Sequence, residues 1–124
     1  MDYWPASLSV WYVDGTRITQ TPVSNLMTTL IAATTRVIAV KGTNSAFNQY
    51  HYIWADLNNG IVSDVSWKCT SEVQDDDEWT TVGFDDSAWP NAVEKRHEYR
   101  NIHAIWSNCS ACPIAYCRKV IQCA

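Results

Sequence analysis

The sequence predicts an all-β protein, an antiparallel β-sandwich or jelly roll held by disulfides. Three observations lead there. Short runs of β-branched and aromatic residues recur along the chain, each closed by a turn signal such as Asp14-Gly15 or Asn58-Asn59-Gly60. No stretch carries a sustained helical period. Five cysteines in 124 residues point to an oxidising compartment, where small domains are commonly stapled by disulfides.

The elements follow in order. Residues 8–13 (L-S-V-W-Y-V) make the first strand, Asp14-Gly15 suits a two-residue hairpin turn, and residues 16–19 return beside it. Residues 26–33 form a brief apolar run without a diagnostic period and are read as a strand. Residues 35–41 (T-R-V-I-A-V-K) are the cleanest central strand, ended by Gly42, and residues 50–55 are expected to pair with it. Residues 61–70 then place Ile61, Ser63, Val65 and Trp67 on one face, with Trp67 toward a core. Residues 79–82 read as a short extended piece, whereas 84–89 hold too many turn formers for a strand and make a structured corner. Residues 104–107 and 114–121 supply the last strands, for roughly eight or nine in all. A chain of 124 residues buries one core, so residues 1–124 are expected to be a single domain.

Composition narrows the function classes. A formal charge of −4 argues against nucleic acid, which rewards clustered Lys and Arg. No apolar run approaches the roughly 20 residues that cross a bilayer as a helix, so the chain is not expected to span a membrane. The opening Met-Asp-Tyr-Trp-Pro has neither a basic nor an apolar leader region, but the five cysteines make a secreted protein the expectation, its leader removed or left out of the given sequence. An odd cysteine count leaves one thiol over after two intrachain bridges, and a disulfide-linked homodimer is expected from it.

Between Trp67 and Arg118 the chain carries W-K-C, then W, then F-D-D-S-A-W-P-N-A-V, then I-W and Y-C-R. Large aromatic anchors alternate there with turn-forming acids. Cys69 and Cys117 bracket the string, in or beside β-type segments, and are expected to form a cross-sheet staple. Together with T-R-V-I-A-V-K-G-T-N at 35–44, the string resembles the galactose-binding-domain-like jelly rolls of secreted invertebrate proteins and lectins and, more distantly, accessory domains of glycoside hydrolases. The resemblance runs from residue 35 to residue 118, and G-F-D-D-S-A-W-P-N-A-V at 83–93 is its most specific part. It implies a carbohydrate-binding jelly roll that is not an enzyme. Such folds also serve as structural or protein-interaction modules and as hydrolase accessory domains, so fold transfers better than function.

Candidate site residues fall in two stretches. Asp75, Asp76, Asp77 and Glu78 form the densest acidic run; its plain reading is a solvated loop, and its functional reading is a Ca2+ site, since a hard cation takes six to eight oxygens. A bound calcium would accept adjacent sugar hydroxyls in place of water, and the O3 and axial O4 of galactose suit that geometry. Residues 94–103 are the second stretch, read as a long polar loop in which Glu94, His97, Glu98, Tyr99 and Arg100 combine an aromatic face with hydroxyl-binding groups. Tyr50, His51, Tyr52 and Trp54 make a lesser aromatic patch. In F-D-D-S-A-W the expected task of Asp85 and Asp86 is to accept backbone amides and drop Phe84 and Trp89 into the core. Adjacent acids on a turn rarely reach the separation that glycoside hydrolysis requires.

The late cysteines allow more than one reading. Cys109 and Cys112 have C-x-x-C spacing, and Cys109, Cys112, Cys117 and Cys123 together could form a four-thiolate zinc set. Disulfides among Cys69, Cys109, Cys112, Cys117 and Cys123 are favoured, because the βαβ setting of a redox motif is missing and zinc would take Cys117 from Cys69. Which cysteine stays single is left open. The expected function is a secreted lectin for galactose-containing glycans.

Overall fold

The structure is a computed structural model and describes residues 2–3, 9–18, 27–28, 34–43, 53–57, 61–96, 103–109 and 112–121. In chain order the elements are β1 (Asp2–Tyr3), β2 (Ser9–Val13), β3 (Thr16–Arg17), β4 (Met27–Thr28), β5 (Val37–Thr43), β6 (Ala55–Asp56) and β7 (Lys68–Thr70). A 3-10 turn (Glu78–Thr80) precedes β8 (Val93–Arg96), β9 (His103–Trp106) and β10 (Ile114–Val120). Every described strand pairing is antiparallel. The principal sheet has the order β3-β2-β5-β10-β7, a smaller one the order β4-β1-β6, and β8 pairs with β9. The protein is all-β.

Strand β5 lies at the centre of the main sheet, as its run of β-branched residues predicts. Its seven residues, 37–43, are matched one for one by β10, from Val37↔Val120 to Thr43↔Ile114, and its other side carries β2. Both hydrogen-bonding edges are therefore taken. The expected pairing of 35–41 with 50–55 does not occur: Ile53 bridges Ile105 and Ala55 pairs with Tyr3. The hairpin signal holds, with Asp14 at φ 49° and Gly15 at φ 84°, the doubly positive geometry that tightly turned hairpins require. The Asp14 carboxylate also accepts the N–H groups of Arg36 and Val37, each at 2.8 Å, tying the turn to the entry of β5.

Period-two alternation gives the main sheet two apolar faces. Trp11, Ile38, Val40, Cys69, Ala115 and Cys117 on one face pack with Ile53, Ala55, Leu57, Trp67, Ala92, Ile105 and Trp106 in the larger core. The opposite face presents Tyr12, Ala39 and Tyr116, which Trp79, Phe84 and Trp89 from the corner segment cover. Trp79 meets Tyr116 edge-on at 5.2 Å and Tyr12 at 5.7 Å. Edge-to-face pairs of this kind add to the burial of the rings themselves.

Gly42 does not end β5 but sits inside it, where the larger core presses closest. A β-carbon there would lie 3.0 Å from Ile53 Cδ1 and 3.0 Å from Trp106 Cζ3, both on buried side chains. Gly42→Ala is therefore expected to destabilise by about 1–3 kcal/mol through overpacking. Urea unfolding checks this, and an unchanged midpoint would show that Ile53 and Trp106 can yield.

Other expectations are corrected. Residues 61–67 are not a regular strand, because Asp64 accepts the Ser66 N–H at 2.8 Å and the Trp67 N–H reaches the Asp64 carbonyl at 3.2 Å. That local turn breaks the alternation, so Val65 is exposed while Ser63 and Trp67 are buried. Residues 79–82, read as extended, are not a strand: Trp79 and Thr80 belong to the 3-10 turn Glu78–Thr80. Residues 94–96, read as loop, belong to a β-hairpin. The expected strand at 26–33 is described only at Met27–Thr28, where it pairs with β1.

Among the described residues two disulfides form, Cys69–Cys117 and Cys109–Cys112. Cys69 and Cys117 stand directly opposite on the neighbouring strands β7 and β10, with Cα atoms 4.1 Å apart. The Cys69 N–H turns away to the Pro90 carbonyl, so the two are a close, non-hydrogen-bonded pair. The staple thus lies within one sheet and does not cross between sheets. Because Cys109 is joined to Cys112 and Cys117 to Cys69, the four-thiolate set with Cys123 is not available; Cys123 lies outside the described residues.

Candidate functional site

The corner between β7 and β8 is built from short side-chain-to-backbone bonds. Asp76 accepts the Glu78 N–H at 3.0 Å, and the Asp77 carbonyl receives both the N–H and the hydroxyl of Thr80, at 3.0 and 2.7 Å. These bonds wind the 3-10 turn that drives Trp79 inward. Further on, Asp85 accepts the Ser87 N–H at 2.9 Å and the Asp86 carbonyl accepts the Trp89 N–H at 2.9 Å. The turn buries Trp89 and half-buries Phe84, whose rings meet edge-on at 5.5 Å. The expected structural task of F-D-D-S-A-W is what the residues perform.

Asp86 has a second task. Its carboxylate receives Arg118 Nη1 at 2.6 Å, and the same guanidinium reaches the carbonyls of Phe84 at 3.1 Å and Thr81 at 2.7 Å. Arg118 is 1% exposed and lies over the Phe84 ring at 5.3 Å. A planar fork of donors suits this, since one side chain then serves three acceptors in different directions. Sequence reasoning passed over Arg118 as a latch. The available signal was a basic residue in the apolar strand I-A-Y-C-R-K-V, on the face where period two places Tyr116.

The acidic run Asp75, Asp76, Asp77 and Glu78 is exposed at the outer side of this corner. Asp76 through its carboxylate, and Asp77 and Glu78 through their backbones, are engaged in the turn by the bonds above. Among the described residues no three His, Cys, Asp or Glu side chains gather as a metal-ligand set. Asp77 faces the phenol of Tyr12, whose pKa is raised first by burial and then by that carboxylate, with Arg17 opposing. Tyr12 and Arg17 are direct cross-strand partners, so an aromatic ring, a guanidinium and a carboxylate share this rim. The Asp85 pKa is lowered, first by the Ser87 backbone N–H and then by its hydroxyl. What this bond contributes is present above the unfolded carboxylate pKa and is lost as pH falls through the folded one.

The polar stretch is placed in part. Glu94 is exposed on β8, opposite Ile105, and the hairpin runs to Arg96↔His103. His97, Glu98, Tyr99 and Arg100 lie outside the described residues, as do Tyr50, His51 and Tyr52. Trp54 is half-buried beside the Ile53–Ile105 bridge. In the aromatic corner Asp85 and Asp86 are occupied by Ser87 and Arg118. No helix among the described residues is long and apolar enough to cross a membrane. Compared with protein-family models, with curated proteins and with solved structures, the chain matches none.

Proposed function

We propose that the protein is a secreted lectin of jelly-roll sandwich architecture that binds galactose-containing glycans and catalyses no reaction. One observation carries the reading furthest: the pairing of β8 with β9 makes residues 93–96 and 103–106 the arms of a hairpin, with exposed Glu94 on one arm and the polar residues 97–102 joining them. Loops borne on rigid strands are where all-β scaffolds keep their binding groups. In this reading Glu94, His97, Glu98, Tyr99 and Arg100 take the sugar, and Asp75, Asp76, Asp77 and Glu78 supply carboxylates to Ca2+. The two intrachain bridges leave Cys123 as the fifth cysteine, the thiol that would join two copies and raise avidity. The disulfides fit an extracellular setting.

A glycan array read with and without EDTA tests the proposal. Binding to terminal galactose that is lost with chelator is the expected result. Binding unchanged by chelator removes calcium and keeps the lectin. No binding to any glycan overturns the lectin and leaves a structural or protein-interaction module of the same fold.

A further inference from the structure

The two disulfides differ in access and in the length of chain that they close. Cys69 and Cys117 are 0% exposed, on central parts of paired strands, and 48 residues apart in sequence. Cys109 and Cys112 are partly exposed, lie between β9 and β10, and are 3 residues apart. Exchange begins when a thiolate attacks a disulfide sulfur, so access to that sulfur decides which bridge reacts. Closing a short loop also removes little entropy from the unfolded chain, so the Cys109–Cys112 bridge contributes little to the fold.

The backbone around this bridge is held without it. The Cys112 N–H donates to the Cys109 carbonyl at 3.2 Å, and the Cys109 N–H donates to the Ser107 hydroxyl at 3.2 Å. Ser107 is buried and its hydroxyl shares a hydrogen bond with that of Ser71 at 2.5 Å. Strand β9 is anchored through β8 and the Ile53 bridge, and β10 through β5 and β7. Opening the sulfur bond therefore releases neither strand.

We propose that Cys109–Cys112 is an exchange site for small external thiols, while Cys69–Cys117 is a fixed structural bridge. The attacking thiolate forms a new S–S bond to one of the two sulfurs, and the other departs as a thiolate that takes up a proton. A second external thiolate then attacks the external sulfur of the mixed disulfide, the protein sulfur departs as a thiolate and takes up a proton, and two protein thiols and one oxidised thiol dimer remain. Two electrons pass from the external thiols to the protein bridge, and none are left over.

The test uses the full oxidised chain with millimolar reduced glutathione as the thiol. Samples are quenched with N-ethylmaleimide over time and mapped by tryptic peptide mass, so that Cys123, free or joined to a second copy, is scored on its own peptide. Glutathione adducts or maleimide labels should appear on Cys109 and Cys112 at least about tenfold faster than on Cys69 and Cys117, since burial removes access to the attacked sulfur. Near-UV circular dichroism should stay unchanged while they do. Equal rates for the two bridges, faster opening of Cys69–Cys117, or labelling that tracks loss of the near-UV signal would overturn the proposal. So would a Cys109 and Cys112 pair that stays closed throughout.

Discussion

Replacing Arg118 with methionine is expected to cost about 3–5 kcal/mol, because it removes one member of a buried ion pair and leaves the other without compensation. Three acceptors lose their donor at once: the Asp86 carboxylate and the carbonyls of Phe84 and Thr81. Arg118 is fully buried, whereas the Asp86 side chain keeps 19% of its exposure and can recover some hydration. Asp86→Asn is therefore the sharper probe of the charge, since it strands a guanidinium that has no route to water. For a domain of 124 residues, a loss of this order lowers Tm by roughly 12–19 °C. Arg118→Lys should recover little, as an ammonium cannot span acceptors lying in different directions. In the double variant the two losses should add to less than their sum, because both remove the same contact. Thermal and urea unfolding of the four variants against the unsubstituted chain measure this. A loss under about 1 kcal/mol for Arg118→Met would mean that the corner holds through its aromatic packing alone.

The latch also marks the limit of what the sequence makes legible. The Asp14-Gly15 hairpin, the strands at 37–43 and 114–120, and the corner at 84–89 are written in local chemistry: positive φ at a turn, β-branched alternation, acids that accept nearby amides. Their partners are not. Strand 37–43 pairs with 9–13 and 114–120 instead of with 50–55 because a sheet's edges are allotted by contacts far apart in sequence. The same holds for Cys69 and Cys117, whose union was legible but whose place within one sheet depends on the register of β7 against β10.

Trp79 shows a different failure. An aromatic beside threonines reads as a strand, yet the amides just after Asp76 and Asp77 are bonded back to those residues and wind into a 3-10 turn. Of the candidate site, the exposure of 75–78 follows from its charge. The strand at 93–96 was hidden, because V-E-K-R offers no apolar alternation and only the partner at 103–106 makes it one. Charged hairpin arms lack the period that identifies a half-buried strand.

Removing Cys69 and Cys117 together, as the double alanine variant, is expected to cost about 4 kcal/mol in the chain-entropy account of a 48-residue separation. Loss of packing adds to this, since both residues are 0% exposed within the larger core. Marginal domains hold only about 5–15 kcal/mol, so the variant is expected to be near the edge of folding at 37 °C. The comparison that decides the matter is with Cys109→Ser/Cys112→Ser. Its bridge spans 3 residues, so the same account gives under about 2 kcal/mol, and the serines are tolerated at partly exposed positions. The larger loss should appear as a lower urea midpoint together with a steeper slope, because the unfolded chain freed of its 48-residue cross-link exposes more surface. Should the Cys109/Cys112 variant prove the less stable of the two, sequence separation and burial would not be what ranks these bridges. The sheet register that sets Cys69 against Cys117 would then have to be self-sufficient, carried by the seven matched residue pairs of β5 and β10 on one side of the bond.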